Sequence, residues 1–484
     1  MDQPRQRLAM ALTLAAALVV SCTSEPGQAE PTAAPSPTVS AAGAGSEGAG
    51  DEYYPDDGNG GYDVGDYNVS VSYDPGSQRL DGDTTVTATA TAALNQFNLD
   101  LNGLDVAGVE IDGKPAKFSR SGQHELVITP AEPIADKSTF HTRVRYSGKP
   151  TQAEAGQLGV NGWQLAKSGG AFAAGEPHSA TFWFPANDHP TDKATFHLAA
   201  RVPNGWSVMS NGLEDGTEEK DGWTTFKWSE KTRIATYLTT ISVDKWTIER
   251  GKLPDGTPIV SAYAPGVENK KQLESRLPEI LAFLSEKFGP YPQDAAGGIY
   301  LNEDIGFSLE TQTRPTYAKW TNLETVVHEN AHQWFGDSVS VAKWADICLN
   351  ECFASYAQWL WTEAKEHQNL DQRYKTAVDK MKTRDAFWAN KLYGMGQGNE
   401  FHGVYDKGVL AIHALRRQIG DEAFGKVLKE WPATHKDGNA SWSQFEEFVQ
   451  KTAGGQDLRG FFDAWFHGDK MPADQYLFPG SLHG

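Results

Sequence analysis

In the stretch "ETVVHENAHQWFGDSV", residues 324–339, two histidines stand four apart and a glutamate directly follows the first. On an α-helix His328 and His332 project from one face, one turn apart. Two neutral imidazoles so placed can both reach a single zinc ion at about 2.0–2.1 Å. Glu329 then lies beside the metal rather than on it, where it can take a proton from the attacking water and later hand it to a leaving amine. This H-E-x-x-H arrangement suits metal-assisted hydrolysis, although the same residues also describe an amphipathic helix with two surface histidines. A third ligand separates the two readings, because catalytic zinc takes three protein ligands and keeps one position open. Glu351, in "ADICLNECFASYAQWLW", supplies it from what reads as the next helix. One zinc ion per chain is therefore expected on His328, His332 and Glu351.

The elements that must hold this set are visible in outline. Thr321 and Glu324 form a T-x-x-E capping box just ahead of Val326 and Val327, and Gly336 offers the helix a stop. Upstream, "KKQLESRLPEILAFLSEKFG" predicts an amphipathic helix ending at its glycine. Helical periodicity continues towards the C-terminus through "GVYDKGVLAIHALRRQIG" and "SWSQFEEFVQKTAG". Between residues 62 and 251 the pattern has period two instead: "NVSVSY", "TTVTATATA", "FNLDL", "HELVI" and "FHTRVRY" alternate, with Asp-Gly, Pro-Gly or Ser-Gly breaks between them. This predicts an all-β, sandwich-like domain over residues 62–255 and a mainly helical domain over 256–484. His124-Glu125 in "HELVI" begins like a second zinc motif, but Ile128 stands where the second histidine belongs, and the run reads as a strand.

A chain of 484 residues suits two or three domains. Its 63 acidic against 43 basic side chains give a formal charge of -20, a surface that repels phosphate backbones and argues against nucleic acid as a partner. Arg5 and Arg7 precede an apolar run from Leu8 to Val20, too short to span a bilayer and shaped like an export signal (residues 1–22). "VVSC" resembles a bacterial lipobox, which implies diacylglycerol on Cys22 and a chain tethered to the outside of the cell membrane by that lipid alone. Residues 23–61 are rich in Ser, Pro, Ala and Gly and read as a disordered spacer. The remaining cysteines, Cys348 and Cys352, read as buried free thiols, since side-chain vectors four apart on a helix suit a bridge poorly.

"HENAHQWFGDSVSVAKWADICLNECFASYAQ" resembles the H-E-x-x-H…N-E segment of the gluzincin aminopeptidases related to membrane alanyl aminopeptidase and leukotriene hydrolase. Further stretches match the family in order: "GEPHSATFWFPANDHPTDKATF", "FGPYP", "GFSLETQTRP" in place of its G-A-M-E-N strand, and "GVYDKG" in place of V-Y-E-K-G. The resemblance spans residue 62 to the C-terminus and implies a β domain followed by a thermolysin-like (α+β) zinc peptidase domain. It also implies hydrolysis of the N-terminal peptide bond of peptides with a free amine, a zinc endopeptidase or a silent peptide-binding lipoprotein being the alternatives. By the same resemblance Glu310 and Glu176 bind the substrate's α-amine, and Ser308 and Leu309 lie on an edge strand whose backbone pairs with the peptide. Tyr405 donates a hydrogen bond to the developing oxyanion. The chain departs from the family strand motif at Phe307, Ser308, Leu309 and Thr311, and carries Ala174 where many relatives have glutamine. It ends soon after "DLRGFFDAWFHGDKMPADQY", without the family's large C-terminal helical domain, which implies a more open cleft.

Overall fold

The computed structural model describes residues 42–154 and 156–483; the leader and Cys22 lie outside them. Strand alternation in the first half builds an eleven-stranded sheet. Its order is Gly43–Ala44, Leu94–Asp100, Glu125–Thr129, Lys114–Ser121, Asp105–Ile111, Thr139–Gly148, Arg79–Ala90, Tyr62–Asp74, Ala194–Pro203, Trp223–Ile234 and Leu213–Lys220. Strand Thr139–Gly148 shows why: Phe140, Thr142, Val144 and Tyr146 face inward while Thr139, His141, Arg143 and Arg145 face out. A second, five-stranded sheet runs Ser207–Ser210, Ile241–Asp244, Ala171–Ala174, Val160–Leu165 and Gln152–Glu154. All four residues of Ala171–Ala174 are buried, and this strand leads straight into Gly175-Glu176. The β-rich N-terminal domain is thus as expected, and "HELVI" does contribute a strand.

Several expectations change. Residues 42–61 are not a spacer: Tyr53 and Asp51 are buried, and Asp51 accepts backbone N–H bonds from Tyr53 and, far along the chain, from Trp344. Aromatic and acidic side chains in "DEYYPDDGNGG" give that segment something to bury and something to bond, which composition alone conceals. The boundary at 255/256 falls in the turn of a hairpin, because Thr247–Lys252 pairs with Pro258–Tyr263 and starts the second domain's sheet, completed by Ile299–Tyr300 and Thr316–Tyr317. The single helix expected from Lys270 onward is interrupted: a turn at Lys271–Glu274 stops before Pro278, and α1 runs Leu277–Phe288 with the proline in its first turn.

The helices that matter for the site follow. They are α2 (Leu323–Ala331), α3 (Cys348–Glu366), α4 (Leu370–Met381) and α5 (Lys407–Ile419). α3 packs against both α2 and α5 and buries most of its length. Cys348 and Cys352 are not free thiols but a disulfide within the first turns of α3, their Cα atoms 4.8 Å apart, which lies inside the span a disulfide bridges. Buried polar contacts fix the two domains together. Arg314 donates to the carbonyls of Val260, Ser210 and Gly212, and Lys193 Nζ donates to those of Asp337 (2.6 Å) and Ser338 (3.0 Å). Asn211 Nδ2 bridges the carbonyls of Leu238 (2.9 Å) and Gln312 (2.8 Å).

Candidate active site

α2 begins one residue later than the capping box suggests. Asn322 is the N-cap, its side-chain oxygen accepting from Thr325 N at 3.0 Å, whereas the Thr321 hydroxyl is occupied by Ser308 Oγ at 2.9 Å. The two imidazoles nevertheless share one face. His328 Nε2 and His332 Nε2 stand 3.1 Å apart, and Glu351 Oε2, arriving from α3, is 3.2 Å from the first and 3.6 Å from the second. Tetrahedral zinc with bonds of about 2.0–2.1 Å separates neighbouring donors by about 3.3 Å, so the three atoms are spaced as such an ion requires. The tautomer agrees: His332 Nδ1 donates to the Phe335 carbonyl at 2.9 Å, which leaves Nε2 with its lone pair facing the other ligands. Gly336, at φ 139°, makes room for this ring, since a Cβ there would sit 3.2 Å from His332 Nδ1.

Neither Asp337 nor Asp346 bonds the imidazoles. Asp346 instead accepts from the backbone of Lys343 and Trp442 and so fastens the turn before α3. Electrostatics favour a cation where the rings meet. Burial would raise the Glu351 carboxyl, but the field of His332 and the hydrogen bond from His328 pull it down to about 2, so it is an anion. Burial lowers His328, whereas at His332 Glu310 and Glu351 outweigh burial and raise it. Glu329, next on α2, is 5 % exposed, and burial raises its carboxyl well above the usual range, which strengthens it as a base.

Glu176 and Glu310 approach from the β domain and from the segment before α2. Carboxylate oxygens of Glu176, Glu310 and Glu351 all lie within 4.8 Å of one another. Both residues are only 2 % exposed, Glu176 Oε1 has no hydrogen-bond partner among the described residues, and burial raises both pKa values. Buried carboxylates without a cation are costly, so the pair is suited to an incoming ammonium. Gly175, at φ 146°, lets the chain turn Glu176 inward; a Cβ there would meet Asn161 Cα at 2.7 Å.

Other expected residues gather on the same cavity of about 470 Å³, with one correction. Leu309 cannot offer its backbone to a peptide, because its N–H and its carbonyl both pair with Thr316 at 2.8 Å. The residues on either side turn their backbone groups the other way, so Ser308 is left as the edge position. The Ser308 hydroxyl is tied to Thr321 and accepts from Ala318 N at 3.1 Å. Tyr405 precedes α5, 37 % exposed, with its ring centroid 6.1 Å from that of His328. Partial removal from water, then the field of Glu351, Glu176, Glu310 and Glu329, raises its phenol and keeps it protonated.

Three contributors carry no sequence signal. Tyr237, buried in the β domain, donates its hydroxyl to Glu310 Oε1 at 3.4 Å; Gln333 Nε2 holds the Glu310 carbonyl at 3.3 Å; and Arg373 of α4 reaches the cavity wall. In a second cluster, Asp100, His124 and Glu125, two members are otherwise engaged: Asp100 already accepts from Gly58 N, Asn59 Nδ2 and Asp188 N, and His124 Nε2 donates to the Asp56 carbonyl at 2.9 Å.

Comparison with known proteins matches this architecture piece by piece. Residues 64–238 match the Peptidase M1 N-terminal domain and residues 296–465 the Peptidase family M1 domain. The chain belongs to the M1 peptidase family. An M1 zinc metallopeptidase from Deinococcus radiodurans superposes with a TM-score of 0.81 at 29% sequence identity, covering 88% of this chain and 98% of its own. Among curated M1 relatives, a probable aminopeptidase 1 of Saccharolobus solfataricus is 25% identical over 390 residues, 74% of this chain and 48% of that protein. Aminopeptidase N of Lactococcus lactis is 24% identical over 444 residues, 84% of this chain and 51% of its own. The chain therefore spans about half the length of the curated M1 relatives it matches.

Proposed function

We propose that this M1 chain is a zinc-dependent aminopeptidase that removes the first residue of peptides with a free N-terminus. One observation carries the reading: two buried carboxylates, Glu176 and Glu310, stand within 4.8 Å of an oxygen of the Glu351 carboxylate. An ammonium held there leaves room for a single residue before the bond at the metal, which is how an exopeptidase counts. His328, His332 and Glu351 would hold the zinc, which when bound acidifies water and withdraws electron density from the scissile carbonyl. Glu329 takes the proton from the attacking water and returns it to the departing amine nitrogen. The Tyr405 hydroxyl donates to the carbonyl oxygen as negative charge grows there. Glu176 and Glu310 orient the substrate through its amine, and the edge of the Ser308 segment receives the extended peptide.

The relatives' names support the chemistry, and a mutant of the Deinococcus radiodurans protein was crystallised with the tripeptide Tyr-Ser-Ala. Export and lipid attachment through Cys22 belong to the same proposal and are supported by the leader "RLAMALTLAAALVVSC". The test is a pair of substrates: an aminoacyl-arylamide and its N-acetylated form, each with the native chain and with Glu329→Gln. Hydrolysis of the free amine only, abolished by the substitution, is expected. Cleavage of acetylated peptides at internal bonds would mark an endopeptidase instead.

A further inference from the structure

Among the described side chains lining the cavity, one lysine or arginine occurs, Arg373, against Glu176, Glu310, Glu329, Glu351 and Asp406. We infer that Arg373 is a binding site for a substrate carboxylate downstream of the scissile bond, and so selects short peptides by the position of their C-terminus. This rests on the aminopeptidase reading of the same cavity.

The guanidinium is held but not neutralised. Its Cζ lies 4.4 Å over the Trp359 ring, and its Nη1 donates to Thr362 Oγ1 at 3.2 Å and to Gln368 Oε1 at 2.7 Å. Both partners are neutral. Among the described residues it forms no ion pair; Glu324 and Glu366 act on it only through space. Anchoring by Nη1 and the indole leaves Nη2 and Nε, one edge of the planar fork, for a bidentate partner, the geometry that matches a carboxylate.

The spacing sets a length. Glu351, Ser355 and Trp359 recur four apart on α3, with Gln358 three after Ser355, and line the cavity along one helix face. From Glu351 to Trp359 the axis advances about 12 Å at 1.5 Å per residue. An extended peptide covers that in about three to four residues at 3.3–3.6 Å each. A peptide with its amine at Glu176 and Glu310 and its first carbonyl at the metal would bring its C-terminus to Arg373 at a total of about four or five residues.

The experiment compares peptides of two to eight residues as free acids and as C-terminal amides, with the native zinc-loaded chain and with Arg373→Gln. The ratio of kcat/KM, acid over amide, is expected to reach about tenfold to hundredfold near four or five residues in the native chain, as for a charge-assisted bond. It should fall towards unity in Arg373→Gln. A tetrapeptide amide ending in Asp or Glu tells a side-chain carboxylate from a terminal one: recovery of the preference there means the site takes either. The same acid and amide pairs are titrated by calorimetry into Glu329→Gln, whose affinity ratio reads the site even if no peptide is cleaved, so a failure of the catalytic reading stays separate. Equal treatment of acids and amides at every length by the native chain overturns the inference, and should Arg373→Gln not fold, this native comparison alone decides. A preference that persists undiminished in Arg373→Gln overturns it as well.

Discussion

Replacing Glu310 by glutamine removes one of two carboxylates offered to the substrate amine while keeping the size of the side chain and an oxygen for the Tyr237 hydroxyl, 3.4 Å away. At 2 % exposure the lost interaction is not screened by water. A hydrogen bond to a charged group contributes about 1.5–3 kcal/mol, which corresponds to roughly a 10- to 150-fold fall in kcat/KM. The assay is steady-state hydrolysis of an aminoacyl-arylamide, with zinc content measured on the same samples. Glu176→Gln should behave alike, and the double substitution should lose less than the product of the two, because both carboxylates serve one ammonium. A Glu310→Gln enzyme within about threefold of native, at unchanged zinc content, would refute the amine anchor.

Two further outcomes are expected. Tyr405→Phe should lower kcat by about two to three orders of magnitude with KM little changed, since the hydroxyl acts on charge present mainly in the transition state; a purely KM effect in steady-state assays would argue against that role. Glu230, fully buried and with no partner for Oε2 among the described residues, has a carboxyl raised by burial and then by Asp294 to about 8. A folded-state pKa above the unfolded value gives stability that is complete below about pH 4.5 and eroded as pH rises through about 8. Glu230→Gln should therefore gain on the native chain, by up to a few kcal/mol, between about pH 5 and pH 9 in thermal unfolding, and parallel curves would contradict this.

Local spacing made the candidate metal set readable. His328, Glu329 and His332 share one helix face by arithmetic, and Glu351 lies close enough in sequence for the next helix to deliver it. Alternation revealed the strands, because each buries one face, but not their order, which depends on pairings such as Tyr62–Asp74 with Ala194–Pro203 across more than a hundred residues. Where a local rule competed with a tertiary contact, the contact won: Thr321 gave up the capping role to bond Ser308, and Leu309 spent its backbone on Thr316. The Cys348–Cys352 bridge turned on a Cα separation that spacing on an ideal helix only approximates. Tyr237 and Arg373 were invisible for a different reason. Nothing near them in the sequence marks a residue that matters only through what the fold sets beside it.

The convergence of His328, His332 and Glu351 on one ion is tested most directly by zinc stoichiometry. The native chain and Glu351→Ala are dialysed to equilibrium against the same buffered zinc, with circular dichroism as the check on folding, and bound metal is counted by mass spectrometry. One zinc per native chain and its loss from a folded Glu351→Ala are expected. A folded Glu351→Ala that holds zinc as tightly as the native chain would contradict the site described.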